Sequence, residues 1–158
     1  FSTWVANKAV YRTRMAIADD GELLIIAPGL KRFGEQPDVD ALIRRYGYCG
    51  TPKVMELYKT QPDMQDLAHA TAHLIHGSSE GRFRIRYAPG HMTKEEIESV
   101  NFEYADLSET LARYPIDQLT EGFHTIGGEE IYFIPTPSAG LWATREKLFG
   151  RQGGFGGE

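Results

Sequence analysis

Along the first third of the chain the spacing of apolar residues changes once, and the change predicts a helix followed by a strand. Val5, Ala9, Val10, Met15 and Ile17 recur at roughly helical spacing, Gly21 ends the turn, and Leu23 to Ala27 is an unbroken apolar run of strand length. The polar stretch from Gly29 to Asp38 then predicts a surface loop, with Asp38 capping a helix that runs through Arg45. Gly47 and Gly50 interrupt the chain, and Thr51-Pro52 opens another helix to about Lys59. A third run of helical spacing extends from Pro62 to Ile75.

The second half has the same grammar. Phe83 to Ala88 alternates apolar and basic residues, as a strand with one wet face does, and Pro89-Gly90 turns it. Thr93 and Glu96 form the capping box of the next helix. Val100 to Tyr104 predicts a short strand. Ser108, Thr110 and Leu111 start a helix ending near Tyr114-Pro115, and Ile131 to Pro135 forms the last strand, before the loop TPSAGLW. Strands separated by helices predict an α/β fold, a layered and mainly parallel sheet flanked by helices.

Composition narrows the possibilities. With 158 residues, of which 41% are hydrophobic, the chain is long enough for one packed domain or two small lobes. A formal charge of −5 supplies no electrostatic footprint for nucleic acid, and no apolar run approaches the length of a membrane span, so a cytoplasmic protein is expected. Cys49 is the sole cysteine and cannot form an internal disulfide; it is expected to pack rather than to react. The chain enters its first helix without a secretory signal or a preceding strand, which predicts a fragment of a longer protein. Residues 150–158, GRQGGFGGE, have too little side chain to bury and predict a flexible tail after a domain of residues 1–149.

Open α/β folds bind ligands at the carboxyl ends of their strands. The helix carrying Lys8 opens at that edge, so Lys8 is placed to face an anionic substrate; otherwise it is a solvated surface cation. Lys31, Arg32 and Glu35 lie in the loop after the first strand, where ligand contacts concentrate. His69, His73 and His76 stand at i, i+4 and i+7 on one helix face. The first two have the spacing of a helical zinc pair, but Ala70-Thr71 replaces the glutamate that a metalloprotease helix carries, and the three could equally line a helix-to-core boundary. In HGSSEGRF, from His76 to Phe83, Ser78 and Ser79 could cap, turn or hold a ligand oxygen. No Walker motif, dinucleotide glycine fingerprint or serine-hydrolase elbow is present.

The runs ANKAVYRTRMAIADDGELLIIAPGLKRFGE, RRYGYCGTPKVMELY, AHLIHGSSEGRFRI, YAPGHMTKEEIESVNFEYADL and GGEEIYFIPTPSAGLW, in that order, resemble the carboxy-terminal domain of the lactate-racemase-like family, which includes members described as D-mannonate epimerases. The resemblance covers nearly all of the chain and rests on the order of several segments. It implies a domain that closes the substrate cleft of a racemase or epimerase of small 2-hydroxy acids, of the lactate or sugar-acid type. The nickel-pincer nucleotide of such an enzyme is held mainly by the amino-terminal domain of the same protein. The family's paired acid/base histidines, cofactor-attaching lysine and metal-ligand histidine belong to that other domain, so no catalytic residue, metal ligand or bound cofactor is expected in this chain alone. Lys8 matches the family's substrate-holding lysine. Trp4 and Val5 stand where the lactate enzyme has a tyrosine and a glutamine; Trp4 is carried over as a substrate contact, and the glutamine's polar contact is missing. The implied reaction abstracts hydride from the carbinol carbon and returns it to either face. An alternative from the residues alone is a non-catalytic ligand-binding or interaction domain whose His76–Phe83 loop and basic strand, Arg82, Arg84 and Arg86, hold an anion or a partner.

Overall fold

A computed structural model of the chain describes residues 1–149; the tail expected over 150–158 lies outside the described residues. The first predicted helix is divided into α1 (Thr3–Ala6) and α2 (Lys8–Thr13). Between them Asn7 opens its ψ to −2° while its side chain turns into the core, where Oδ1 accepts a hydrogen bond from the Tyr87 hydroxyl. The helix stops at Thr13, not Ile17. The Thr13 hydroxyl bonds back to the Ala9 carbonyl at 2.5 Å, and the chain beyond pairs at Met15 with Ala143 instead of continuing the helix.

β1 (Glu22–Ala27) follows as the apolar run predicts. Four helices, α3 (Pro37–Tyr46), α4 (Thr51–Thr60), α5 (Pro62–Asp66) and α6 (Ala68–His76), form the crossover to β2 (Arg84–Pro89). α7 (Lys94–Ser99), with the predicted Thr93–Glu96 capping box, leads to β3 (Glu103–Tyr104). The three strands are parallel, in the order β1-β2-β3, with Glu22 opposite Arg84 and Arg86 opposite Glu103. The fold is therefore α/β, a parallel sheet flanked by helices. α8 (Leu107–Arg113) follows, then a separate antiparallel hairpin of β4 (Gly122–Ile126) and β5 (Glu129–Phe133), and finally α9 (Arg145–Phe149).

Several boundaries differ from the pattern for identifiable reasons. Asp38 lies inside the first turn of α3; it is Asp40 whose carboxylate accepts the backbone N–H groups of Phe33 (2.7 Å) and Gly34 (3.0 Å). Burial pushes Asp40 upward, but the Arg44 guanidinium and these amides outweigh it and hold the carboxyl below its usual range. The helix predicted over 62–75 breaks at Leu67, and the Thr71 hydroxyl takes the Met64 carbonyl at 2.7 Å. The strand predicted over 100–104 shrinks because Val100 closes α7 and Asn101 is left-handed at φ 69°. β4 carries no signal of its own strong enough to be read, yet Gly127-Gly128 supplies the two positive φ values that a tight hairpin turn requires.

The core is built from β1, β2 and the helices around them, with Val10, Leu30, Phe33, Ile43, Val54, Met64, Leu74, Tyr87 and Ile97 fully buried. Among the described residues, none from 111 to 149 is buried. No helix among them is long and apolar enough to cross a membrane.

Candidate functional site

The start of α1 is fastened to the loop after β1. Lys31 N–H donates to the Phe1 carbonyl, and the Thr3 and Trp4 amides donate to the carbonyls of Arg32 and Phe33, all at 3.0–3.1 Å. α1 therefore opens at the carboxyl edge of the sheet, where this class of fold collects ligands. From there α1 and α2 run beside α6, and the aromatic rings of the neighbouring helices meet. Trp4 stacks on His73, with centroids 4.5 Å apart and planes at 25°, and meets His69 edge-on at 5.8 Å; Tyr11 lies 6.1 Å from His76. Lys8 opens α2, between Trp4 and Tyr11 in sequence. It is exposed, and among the described residues no hydrogen bond or ion pair engages its ammonium group. The structure thus brings Trp4, His69, His73 and His76 onto one ridge, with Lys8 exposed at the start of α2.

The ridge rests on a buried polar chain. Thr3 Oγ1 lies 2.9 Å from the Phe33 carbonyl and 2.9 Å from the Tyr48 hydroxyl, which lies 2.8 Å from His73 Nε2. Each hydroxyl has one proton. If Thr3 gives its proton to the carbonyl, Tyr48 must donate to Thr3 and His73 must donate from Nε2 to Tyr48, which assigns the imidazole tautomer by bond order along the chain. Burial, reinforced by neighbouring His76, pushes His73 down to about 4, and burial lifts the Tyr48 and Tyr87 phenols above their ordinary range. His73 is therefore a fixed, neutral platform for Trp4. Its Nε2 is engaged by the Tyr48 hydroxyl, and among the described residues no group of three or more His, Cys, Asp or Glu is placed to hold a metal. Gly77 permits this packing, since a Cβ there would fall 2.3 Å from Asn7 Nδ2 and 2.6 Å from the Tyr48 ring. Tyr48→Phe is expected to leave a buried imidazole N–H unpaired and to lower unfolding stability by about 2 kcal/mol in denaturant titrations.

The remaining sequence candidates lie elsewhere. Lys31 is exposed on the loop that holds α1. Arg32 is paired with Glu35 at 2.6 Å, and the Ser2 hydroxyl also donates to Glu35; together Ser2 and Arg32 hold that carboxyl below its usual range. Ser78 and Ser79 line a pocket of about 500 Å³ with Gly50, Asn101 and Glu103; it opens at the amino ends of β2 and β3 and is bordered by Tyr48 and Gly77. Ser78 Oγ there accepts the Glu80 N–H at 3.0 Å, a turn contact. Burial raises the Cys49 thiol in the same pocket, which disfavours the nucleophilic thiolate.

The basic strand is also accounted for within the fold. Arg82 binds Asp19 and the Ile17 carbonyl, whereas Arg84 and Arg86 bridge Glu22 on β1 and Glu103 on β3 at 2.9–3.6 Å. This ladder ties the three strands together. The supporting residues Thr3, Asn7, Tyr48 and Tyr87 escaped the sequence reading, since their partners lie 25 to 80 positions away and no local spacing marks them.

No family model and no curated protein matches the chain. Among solved structures it is similar to the crystal structure of a protein from Thermotoga maritima determined as a structural-genomics target, with a TM-score of 0.58 and 27% identity over 68% of this chain. The chain spans 28% of the length of that protein.

Proposed function

We propose that this chain is the carboxy-terminal domain of a racemase or epimerase of small 2-hydroxy acids, of the lactate or sugar-acid type that includes mannonate, and that Lys8 anchors the substrate carboxylate. One observation supports this most: Lys8 opens α2 exposed and, among the described residues, without a hydrogen bond or ion pair, four positions after a tryptophan that stacks on a buried histidine. An ammonium in that position binds a carboxylate through charge-assisted hydrogen bonds, and an aromatic face beside it excludes water from one side of the bound acid. Inverting a carbinol centre requires that the acid be fixed while its planar keto form exists, which is a positioning task.

The nickel-pincer nucleotide, which supplies hydride acceptance when bound, belongs on this reading to an amino-terminal domain of the same protein. On this reading this chain's part is to hold, orient and cover the substrate, and the domain by itself is inactive. Trp4 in place of a tyrosine, with Val5 beside it, makes the cover apolar at the site where the lactate enzyme offers a polar contact, and this selects among acids by their distal groups.

In the intact enzyme, Lys8→Ala is expected to lower kcat/KM for racemisation by tenfold or more, on the order of 1.4 kcal/mol. Unchanged steady-state kinetics in that variant would remove Lys8 from the substrate site and the proposal with it.

A further inference from the structure

β1 is an edge strand of the three-stranded sheet, and its register with β2 fixes which of its backbone groups face outward. Arg84 N–H donates to the Gly21 carbonyl at one end of the ladder and Gly90 N–H to the Ala27 carbonyl at the other, so the odd-numbered residues from 21 to 27 bond to β2. In a parallel pair the residues between them turn both N–H and C=O the other way. Glu22, Leu24 and Ile26 therefore present three donors and three acceptors along the free edge, and among the described residues no hydrogen bond engages them. The facing hairpin has the same character. Ile126 and Glu129 flank the Gly127-Gly128 turn and form its hydrogen-bonded pair, which makes Glu130 and Tyr132 the outward-facing residues of β5.

Folded proteins ordinarily pair such an edge or blunt it with charge or proline, because it templates another strand. β1 reads ELLIIA, without proline and with one charged residue. Both edges border a groove of about 830 Å³, whose lining is mostly apolar and includes Ile17, Phe123 and Trp142. Every charged residue in that lining is acidic: Glu22, Glu129 and Glu130. Glu22 is neutralised by Arg84 and Arg86 and Glu129 by Arg113, whereas no ion pair or hydrogen bond engages the Glu130 carboxylate among the described residues. The chain as a whole carries a formal charge of −5. A second copy would bring the same excess of acid to this edge; a strand bearing lysine or arginine supplies the opposite charge.

We infer that the groove between β1 and β5 is a docking surface for an extended segment of another protein, apolar at alternate positions and carrying a basic residue, which adds to β1 as a strand. Main-chain hydrogen bonds to Glu22, Leu24 and Ile26 supply the affinity, alternate apolar side chains enter the groove, and the basic residue pairs with Glu130. None of Trp4, Lys8, His69, His73 and His76 lines this groove, so the surface is independent of the role given to Lys8.

Residue-resolved amide exchange on the 158-residue chain tests it. The probe is a capped synthetic peptide of alternating valine and threonine with a lysine at each end. At saturation it is expected to slow exchange of the Glu22, Leu24 and Ile26 amides about tenfold relative to the free chain. The same peptide ended in glutamate is expected to bind about fivefold more weakly, and Glu130→Lys, at an exposed position, to reverse that order. Unchanged exchange at Leu24 and Ile26 with the lysine peptide overturns the proposal, as does equal binding of the two peptides. Protection of these amides without peptide, growing with protein concentration, also overturns it, because a second copy would then occupy the edge.

Discussion

Replacing Gly90 by alanine is expected to destabilise the fold by about 4 kcal/mol in denaturant unfolding, near the upper end of what a single core substitution costs. A Cβ at this position would sit 1.8 Å from the Pro28 carbonyl oxygen and 2.7 Å from its carbon. Both atoms are backbone, so no rotamer change relieves the overlap. Pro28 follows β1 and Gly90 follows β2, and the two segments are held together by Gly90 N–H to the Ala27 carbonyl (3.2 Å) and His91 N–H to the Leu30 carbonyl (3.1 Å). Forcing them apart also moves the loop to which Phe1, Thr3 and Trp4 are bonded, and with it the start of the ridge. Gly81→Ala is the control. Gly81 has φ +71° but nothing within 4 Å of a built Cβ, so alanine there meets only the left-handed backbone penalty, about 1 kcal/mol. Equal losses at the two positions would show that backbone freedom, and not close approach, is what the fold requires of Gly90.

The same contrast between local and distant causes explains how much of the molecule was legible in the sequence. β1, the α7 capping box and the parallel sheet were legible because period, capping residues and apolar runs are local signals. The breaks at Asn7 and Leu67 were not. At the first break the Asn7 side chain meets Tyr87, 80 positions on, and at the second the Thr71 hydroxyl donates to the Met64 carbonyl across the turn at Leu67. At the candidate site, Lys8 and Trp4 could be picked out by position along a helix, and the three histidines by their shared face. Nothing in their spacing showed that Trp4 would lie on His73, or that the support would be Tyr48 and Thr3. The basic character of Arg84 and Arg86 was plain in sequence, but their neutralisation by Glu22 and Glu103 depends on strand register, which only the assembled sheet fixes.

His73 is expected to make the protein acid-sensitive well above the range in which carboxylates titrate. Its ordinary value is about 6.5, and in the folded chain burial, then the neighbouring His76, brings it down to about 4. Between those two values the unfolded chain binds more protons at this residue than the folded one, so stability rises with pH across the window. The contribution is complete above about pH 6.5 and is lost as the pH falls toward 4. For a ring that is only 8% exposed, the loss amounts to roughly 2 kcal/mol from pH 7 to pH 5 and about 3 kcal/mol by pH 4. His73→Gln keeps a polar side chain of similar reach but cannot titrate, so its unfolding free energy should be flat from pH 7 to pH 5 while the parent chain declines. Carboxylates such as Asp40, whose folded values are also lowered, add their own losses only nearer pH 4, which leaves the upper part of the window to histidine. A parent chain as flat as the variant between pH 7 and pH 5 would mean that His73 accepts a proton without cost. In that case the Thr3–Tyr48–His73 chain could not be the fixed, neutral support on which Trp4, and through it the ridge, depends.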